Sequence, residues 1–206
     1  MYTVMVTGGL GSGKSTLVGL LCERGAVSID LDQVGKSVLR DDEAYIAELV
    51  ERFGEGILDE EGAVVPARLA ERAFADEESA HDLDRIALPY IEERADEYIL
   101  DVHCTPRSDS KVLVVEVAIL TEAPELAELA DEVIAVSAPS DLRLRRAIAR
   151  GMGAKDALSR IRVQATDAER AALADTVCEN DGSLEELSAW ADSWWAATME
   201  KLAAER

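Results

Sequence analysis

Gly8-Gly9-Leu10-Gly11-Ser12-Gly13-Lys14-Ser15-Thr16 is the stretch on which the reading of this chain turns. It fits the pattern GxxxxGK[ST]. It lies between a short apolar run, Thr3 to Val6, and a segment of helical character from Lys14 to Arg24 that Gly25 can close. Strand before and helix after is the context that gives the pattern meaning. Glycines let the backbone reach positive φ and turn its N–H groups around a phosphate. The helix that follows aims its partial positive end at the same anion. Lys14 adds a full charge at the β and γ phosphates, and the Ser15 hydroxyl is the expected Mg2+ ligand.

Working outward, Ala26 to Ile29 reads as a second strand. Strand, loop, helix and strand begin a parallel α/β sheet. Two carboxylates follow, Asp30 and Asp32. A helix of about 11 residues carries the chain about 16 Å from the loop, and a strand of about five residues returns it by about 17 Å. Both carboxylates are therefore expected at the C-terminal end of the sheet, where ligands of open α/β sheets bind. One can cap the next helix while the other orients an acceptor hydroxyl, takes its proton late or holds a metal-bound water. The capping role falls to Asp30 and the functional role to Asp32. With an ordinary pKa near 3.9, Asp32 would be ionised at neutral pH and act more by positioning than as a strong base.

From about Asp41 to Thr105 the pattern is helical. Ile46, Leu49, Val50 and Phe53 share one helix face ended by Gly54. Pro66 can open a helix carrying Leu69 and Phe74. Ser79 can open another with Leu83, Ile86, Tyr90 and Ile91 inside, bent or split at Pro89. Strands then resume at Val112 to Val117, Val133 to Val136 and Thr176 to Cys178. The first is apolar except for Glu116. A charge there is costly unless paired: Glu116 can reach a metal through water, fix Lys14, or form an ion pair within the fold. Ser183-Leu184-Glu185-Glu186 fits a capping box opening the last helix, on which Trp190, Trp194 and Trp195 read as packing residues.

Arg143, Arg146 and Arg150 are spaced to share one face of a helix running from Ser140 or Asp141 to Arg150, while Arg145 points elsewhere. Arg160 and Gln164 are four apart on the next helical stretch and also share a face. The arginine face fits either a solvated surface paired with acidic neighbours or a lid. In a lid, guanidinium forks neutralise charge on a transferred phosphoryl group and closure excludes water.

The 206 residues carry 21 basic and 42 acidic side chains, a formal net charge of −21, with 48% hydrophobic residues. That suits one α/β domain with a sizeable insertion. The charge disfavours nucleic acid and anionic membrane as partners, while clustered arginines can still admit a small anion. No apolar run approaches a membrane span, and the N-terminus has no basic stretch followed by an apolar one. Three cysteines, Cys22, Cys104 and Cys178, give no paired framework or zinc pattern and read as core fillers in a reduced, cytoplasmic setting.

In order along most of its length, the chain resembles the dephospho-CoA kinases, P-loop kinases of the nucleoside-monophosphate-kinase type. Thr7 to Thr16 is similar to their TGGIGSGKST, and Ile29-Asp30-Leu31-Asp32 to their IDAD. Phe53-Gly54 and Gly62 to Phe74 fall where the family's helical insertion has FG and a G…L…F pattern. Glu116 to Glu122 is similar to DIPLLFE and Leu142 to Arg150 to the lid helix. Arg160 to Gln164 resembles RIxxQ, and Ala174-Asp175 with Asn180-Asp181-Gly182 resembles AD…NxG. The family's HP pair is Leu88-Pro89 here, its insertion arginine falls on Pro66 (Arg68 is a possible substitute), and its PLLFE proline and aromatic are Ala118 and Thr121.

The resemblance implies a P-loop NTPase-like parallel β-sheet flanked by helices, with a helical acceptor-binding insertion and a helical lid. Its boundaries would be 1–40, 106–141 and 171–206 for the nucleotide-binding core, 41–105 for the acceptor domain and 142–170 for the lid. It implies transfer of phosphate from ATP, with Mg2+, to the ribose 3′-hydroxyl of dephospho-CoA. Asp32, Lys14 and Arg146 would be catalytic. ATP would meet Gly9, Leu10, Gly11, Ser12, Gly13, Lys14, Ser15, Thr16, Arg146, Arg150 and Asn180. The acceptor would meet Asp32, Leu88 and Arg143. Ser15, and Glu116 through water, would serve the metal. A monomer or small homo-oligomer is expected. The competing readings are a kinase for another small acceptor, such as a nucleoside monophosphate, and a catalytically degenerate nucleotide-binding switch.

Overall fold

The computed structural model describes residues 1–104 and 110–204. The chain forms two compact units, Met1–Asp30 with Val102–Arg206, and Leu31–Asp101.

The first unit is built on a parallel sheet of β1 (Tyr2–Gly8), β2 (Val27–Asp30), β3 (Val112–Val117), β4 (Glu132–Ser137) and β5 (Thr176–Glu179), in the order β2-β3-β1-β4-β5. β1 is the central strand and all seven of its residues are buried. This explains why its sequence runs apolar without alternation. The register pairs Val6 with both Glu116 and Ile134, and Asp30 with Glu116. The strand ends of β1, β2 and β3 therefore come out together, and the chain leaves β1 directly into the glycine-rich loop.

α1 (Lys14–Glu23) and α9 (Leu184–Ala204) pack with the sheet in one core containing Leu17, Leu21, Val114, Ile134, Leu187 and Trp194, with Trp190 and Trp195 at its edge. Ser183 and Glu186 cap α9 reciprocally: the Ser183 amide donates to Glu186 Oε2 at 2.7 Å and the Glu186 amide to Ser183 Oγ at 3.2 Å. After β4 come α6 (Ser140–Ala149), α7 (Ala154–Val163) and the short α8 (Asp167–Ala172). α8 and a 3₁₀ segment at Pro124–Leu129 are too short to leave a periodic signal in the sequence. Cys178 is buried and Cys22 half-buried, but Cys104 is exposed rather than a core filler.

The second unit holds α2 (Leu31–Asp41), α3 (Glu43–Phe53), α4 (Pro66–Ala73) and most of α5 (Glu77–Cys104). Its core joins Val38, Tyr45, Leu49, Phe53, Ile57, Leu69 and Ile86. The unit starts at Leu31 rather than at 41, because α2 contributes Val38 to this core. Likewise 142–170 belongs to the same compact unit as the sheet. Asp42 caps α3, accepting from the amides of Ala44 and Tyr45 at 3.1 and 3.0 Å, and Gly54 ends it at φ 79°. α5 runs unbroken through Pro89. The proline removes one backbone donor, while Ile86 and Ala87 before it and Ala95 and Ile99 after it are buried. Phe74 falls one residue beyond α4 and is 69% exposed, not packed as its spacing suggests. Among the described residues no helix is long and apolar enough to cross a membrane.

Leu21 is fully buried in the core shared by α1 and the sheet. Leu21→Ala should cost about 2–5 kcal/mol, read as a lowered midpoint in urea denaturation followed by tryptophan fluorescence.

Candidate active site

The loop from Gly8 to Lys14 is shaped by two glycines in the left-handed region, Gly11 at φ 77° and Gly13 at φ 101°. Three of its carbonyls are engaged. Gly9 O accepts from the Ser12 amide at 3.0 Å, Leu10 O from Arg143 Nε at 3.0 Å, and Ser12 O from Asn180 Nδ2 at 2.7 Å and Arg146 Nη1 at 3.4 Å. By contrast, among the described residues the amides of Gly11, Gly13 and Lys14 meet no protein acceptor. With the unpaired first-turn amides of α1 they form a ready set of donors for an anion.

Lys14 Nζ and Ser15 Oγ both lie 2.5 Å from Glu116 Oε1. The Lys14 and Glu116 side chains are largely buried. Glu116 thus makes the ion pair that a charge in a buried strand needs, and the pair is at the phosphate loop. Asp30 sits beside it in register on β2 and immediately precedes α2. Asp32 is the second residue of α2 and exposed, and Leu88 is half-buried on α5. Arg68 donates to Leu58 O at 2.5 Å within the helical unit.

The arginine face of α6 is turned to the loop, but its members differ. Arg150 is exposed and Arg146 half-buried. Both line a cavity of about 230 Å³ with Gly13, Thr16, Asn180, Leu184 and Leu187. Arg146 Nη1 donates to Asn180 O at 2.9 Å. Arg145, as its spacing requires, pairs with Asp141 at the surface.

Arg143 departs from its expected place at the acceptor. It is 3% exposed, and its guanidinium is engaged with Leu10 O, Gln164 Oε1 and Asp167 Oδ1. It lies so close that a Cβ on Gly9 would fall 2.0 Å from Arg143 Nη2. Gln164 keeps different partners from Arg160, which pairs with Asp156 in solvent. It stands at the end of α7 and accepts the Leu10 amide at 2.8 Å. The signal for these two residues is Leu10 itself: flanked by glycines, its peptide groups lack shielding side chains and need partners from elsewhere.

The family model described as dephospho-CoA kinase matches residues 2–186. The chain belongs to the dephospho-CoA kinase family. It is 36% identical over 196 residues to the dephospho-CoA kinase of Corynebacterium jeikeium, covering 95% of this chain and 98% of that one. It is 35% identical over 203 residues to that of Thermobifida fusca, covering 98% of both. The solved dephospho-CoA kinase from Campylobacter jejuni, 20% identical over 97% of this chain and 98% of its own, shares the fold with a TM-score of 0.71. As a family member the chain is a kinase that uses ATP to phosphorylate dephospho-CoA to coenzyme A. Neither the other-acceptor reading nor the degenerate switch is needed.

A Cβ on Gly11 would lie 2.4 Å from the Arg143 backbone oxygen, and its φ already disfavours a side chain. No rotamer change relieves a clash with backbone. Gly11→Ala should therefore weaken ATP binding about tenfold or more, measured by titration calorimetry; parental affinity would show that the loop geometry does not set phosphate binding.

Proposed function

We propose that the loop amides, Lys14, Arg146 and Arg150 seat ATP while Asp32 presents the 3′-hydroxyl of dephospho-CoA to its γ-phosphoryl group. The observation that carries this reading is the convergence of Lys14, Ser15 and Glu116 at the mouth of a loop whose amides meet no protein acceptor. Gly9 to Thr16 would surround the phosphates. The cavity bounded by Gly13, Thr16, Arg146, Arg150 and Asn180 would take the nucleoside end. Arg146, with a flexible stem and two partners on Asn180 and Ser12, would shift onto the transferring phosphoryl group as the lid closes. A guanidinium there stabilises charge that develops as the bond to the leaving oxygen breaks.

Asp32 follows Asp30 by two residues, and Asp30 ends β2 in register with Glu116. That connectivity supports Asp32 as the group that accepts a hydrogen bond from the acceptor hydroxyl and takes its proton late. Leu88, in the helical unit, would contact the acceptor. We carry Arg143 as a support of the loop instead, since its guanidinium is already bonded there.

Ser15 and Glu116 fit Mg2+ chemically, because a hydroxyl and a carboxylate are hard oxygen donors. Among the described residues no group of three or more His, Cys, Asp or Glu is placed to hold a metal. This suits an ion that takes one or two protein oxygens and completes its shell with phosphate and water. When bound, it would neutralise charge on the β and γ phosphates.

Asp32→Asn should lower kcat by about 10² or more while ATP affinity stays parental; near-normal turnover in a coupled ADP-release assay would remove Asp32 from the mechanism. Arg146→Ala should cut kcat more than it raises KM for dephospho-CoA, and the opposite split would make Arg146 a docking residue.

A further inference from the structure

We infer that Arg143 and Gln164 are positioning residues that set ATP-phosphate affinity by clamping Leu10, the crown of the phosphate loop, from the lid side. Leu10 is held by both of its backbone groups. Its amide donates to Gln164 Oε1 at 2.8 Å and its carbonyl accepts from Arg143 Nε at 3.0 Å. The clamp is closed on itself, because Arg143 Nη2 also donates to Gln164 Oε1 at 3.1 Å. One side-chain oxygen therefore takes the loop amide and the guanidinium that holds the loop carbonyl.

Each arm is anchored. Arg143 starts its run from the first turns of α6, and its remaining nitrogen donates to Asp167 Oδ1 at 3.2 Å. Gln164 is fixed between the end of α7, where its amide donates to Arg160 O at 3.2 Å, and the cap of α8 at Thr166, two residues on. There Thr166 and Glu169 form a reciprocal cap: the Thr166 amide donates to Glu169 Oε2 at 2.6 Å and the Glu169 amide to Thr166 Oγ1 at 3.2 Å. Asp167, the first residue of α8, also lies 3.6 Å from Arg170, which is only 2% exposed. Two buried guanidiniums, those of Arg143 and Arg170, thus lie against the same carboxylate, which holds Asp167 in place.

The physical consequence is specific. A loop whose amides point at an anion is useful only if it does not relax onto its own carbonyls, and the clamp occupies the groups through which Leu10 could do so. Movement of the α6–α7 pair also becomes movement of the loop crown, so lid position and phosphate seating are one variable. The inference rests on the reading that this loop holds the ATP phosphates, and its test separates the two.

Gln164→Met keeps the length of the side chain and removes the acceptor; Gln164 is half-buried, so the fold should tolerate it. Arg143→Lys keeps the charge and removes the fork. Each should raise KM for ATP, and the dissociation constants of ATP and ADP, about tenfold, with kcat at saturating ATP within about twofold. Affinity for adenosine and for dephospho-CoA should stay parental. Together the two changes should cost less than the product of the single effects, since both act on Leu10. Parental ATP affinity in Gln164→Met would overturn the clamp. So would an equal loss for ATP, adenosine and dephospho-CoA, which is the mark of general loosening. Lys14→Ala, measured alongside, tests the underlying site: parental ATP affinity there would overturn the phosphate-loop reading itself.

Discussion

A phosphate cradle made of backbone needs amides without partners and carbonyls with them. The rest of this structure can be understood from that constraint. Buried peptide groups pair wherever they can, so a glycine-rich turn left alone would fold onto itself. Here the carbonyls of Gly9, Leu10 and Ser12 are taken by Ser12, Arg143, and Asn180 with Arg146. The side-chain partners come from α6 and from the segment after β5, and the parallel sheet brings both beside β1. The Asn180 amide in turn donates to Ser137 O at 2.8 Å, fixing that segment to the end of β4. The order β2-β3-β1-β4-β5 therefore places the carboxylate that pairs with Lys14 on one side of the loop and the loop's braces on the other.

The same arrangement reconciles a chain of net charge −21 with a polyanionic substrate. Exposed carboxylates more than about 8 Å from the site are screened at physiological salt. Arg143 and Lys14 are buried or nearly so, and Arg146 half-buried, so their fields are screened far less. The local potential is set by these few cations and their paired carboxylates Glu116 and Asp167, not by the total.

Much of this was legible in the sequence, and the exceptions share a cause. The strands declared themselves as short apolar runs, α1 by the glycines around it, α3 by its i, i+3, i+4, i+7 face, and α9 by its capping box. The loop was legible because its chemistry demands particular residues at fixed spacing. Spacing also put Arg143, Arg146 and Arg150 on one face of α6, but a face says nothing of depth. Exposure falls from Arg150 through Arg146 to Arg143, so α6 meets the loop with its first turns and leaves it with its last. That makes Arg143 a brace and leaves the other two at the cavity. The contact of Gln164 with Leu10 was not legible for a related reason: the glutamine acts from a helix end, where helical periodicity no longer assigns direction. The start of the helical unit at Leu31 was hidden because Val38 reads equally well against a sheet or against other helices.

The Lys14–Glu116 pair is better understood by what it prepares than by what it stabilises. A largely buried ion pair gives up most of what it gains to desolvation, so its contribution to folding is small. Its geometry is more informative. An ammonium has three donors, and Glu116 occupies one of Lys14's. Among the described residues the other two meet no acceptor, so they can meet phosphate oxygens without the first bond breaking, and Lys14 is held in place by a partner it need not leave. Ser15 shares the same carboxylate oxygen, which ties the hydroxyl expected to serve a metal to the lysine expected to serve the phosphates. A neutral residue at 116 would leave Lys14 with more net charge and less definition of where that charge sits. In a site that must align a phosphoryl group with a hydroxyl, position matters more than attraction, because only interactions strongest in the transition state speed the chemical step.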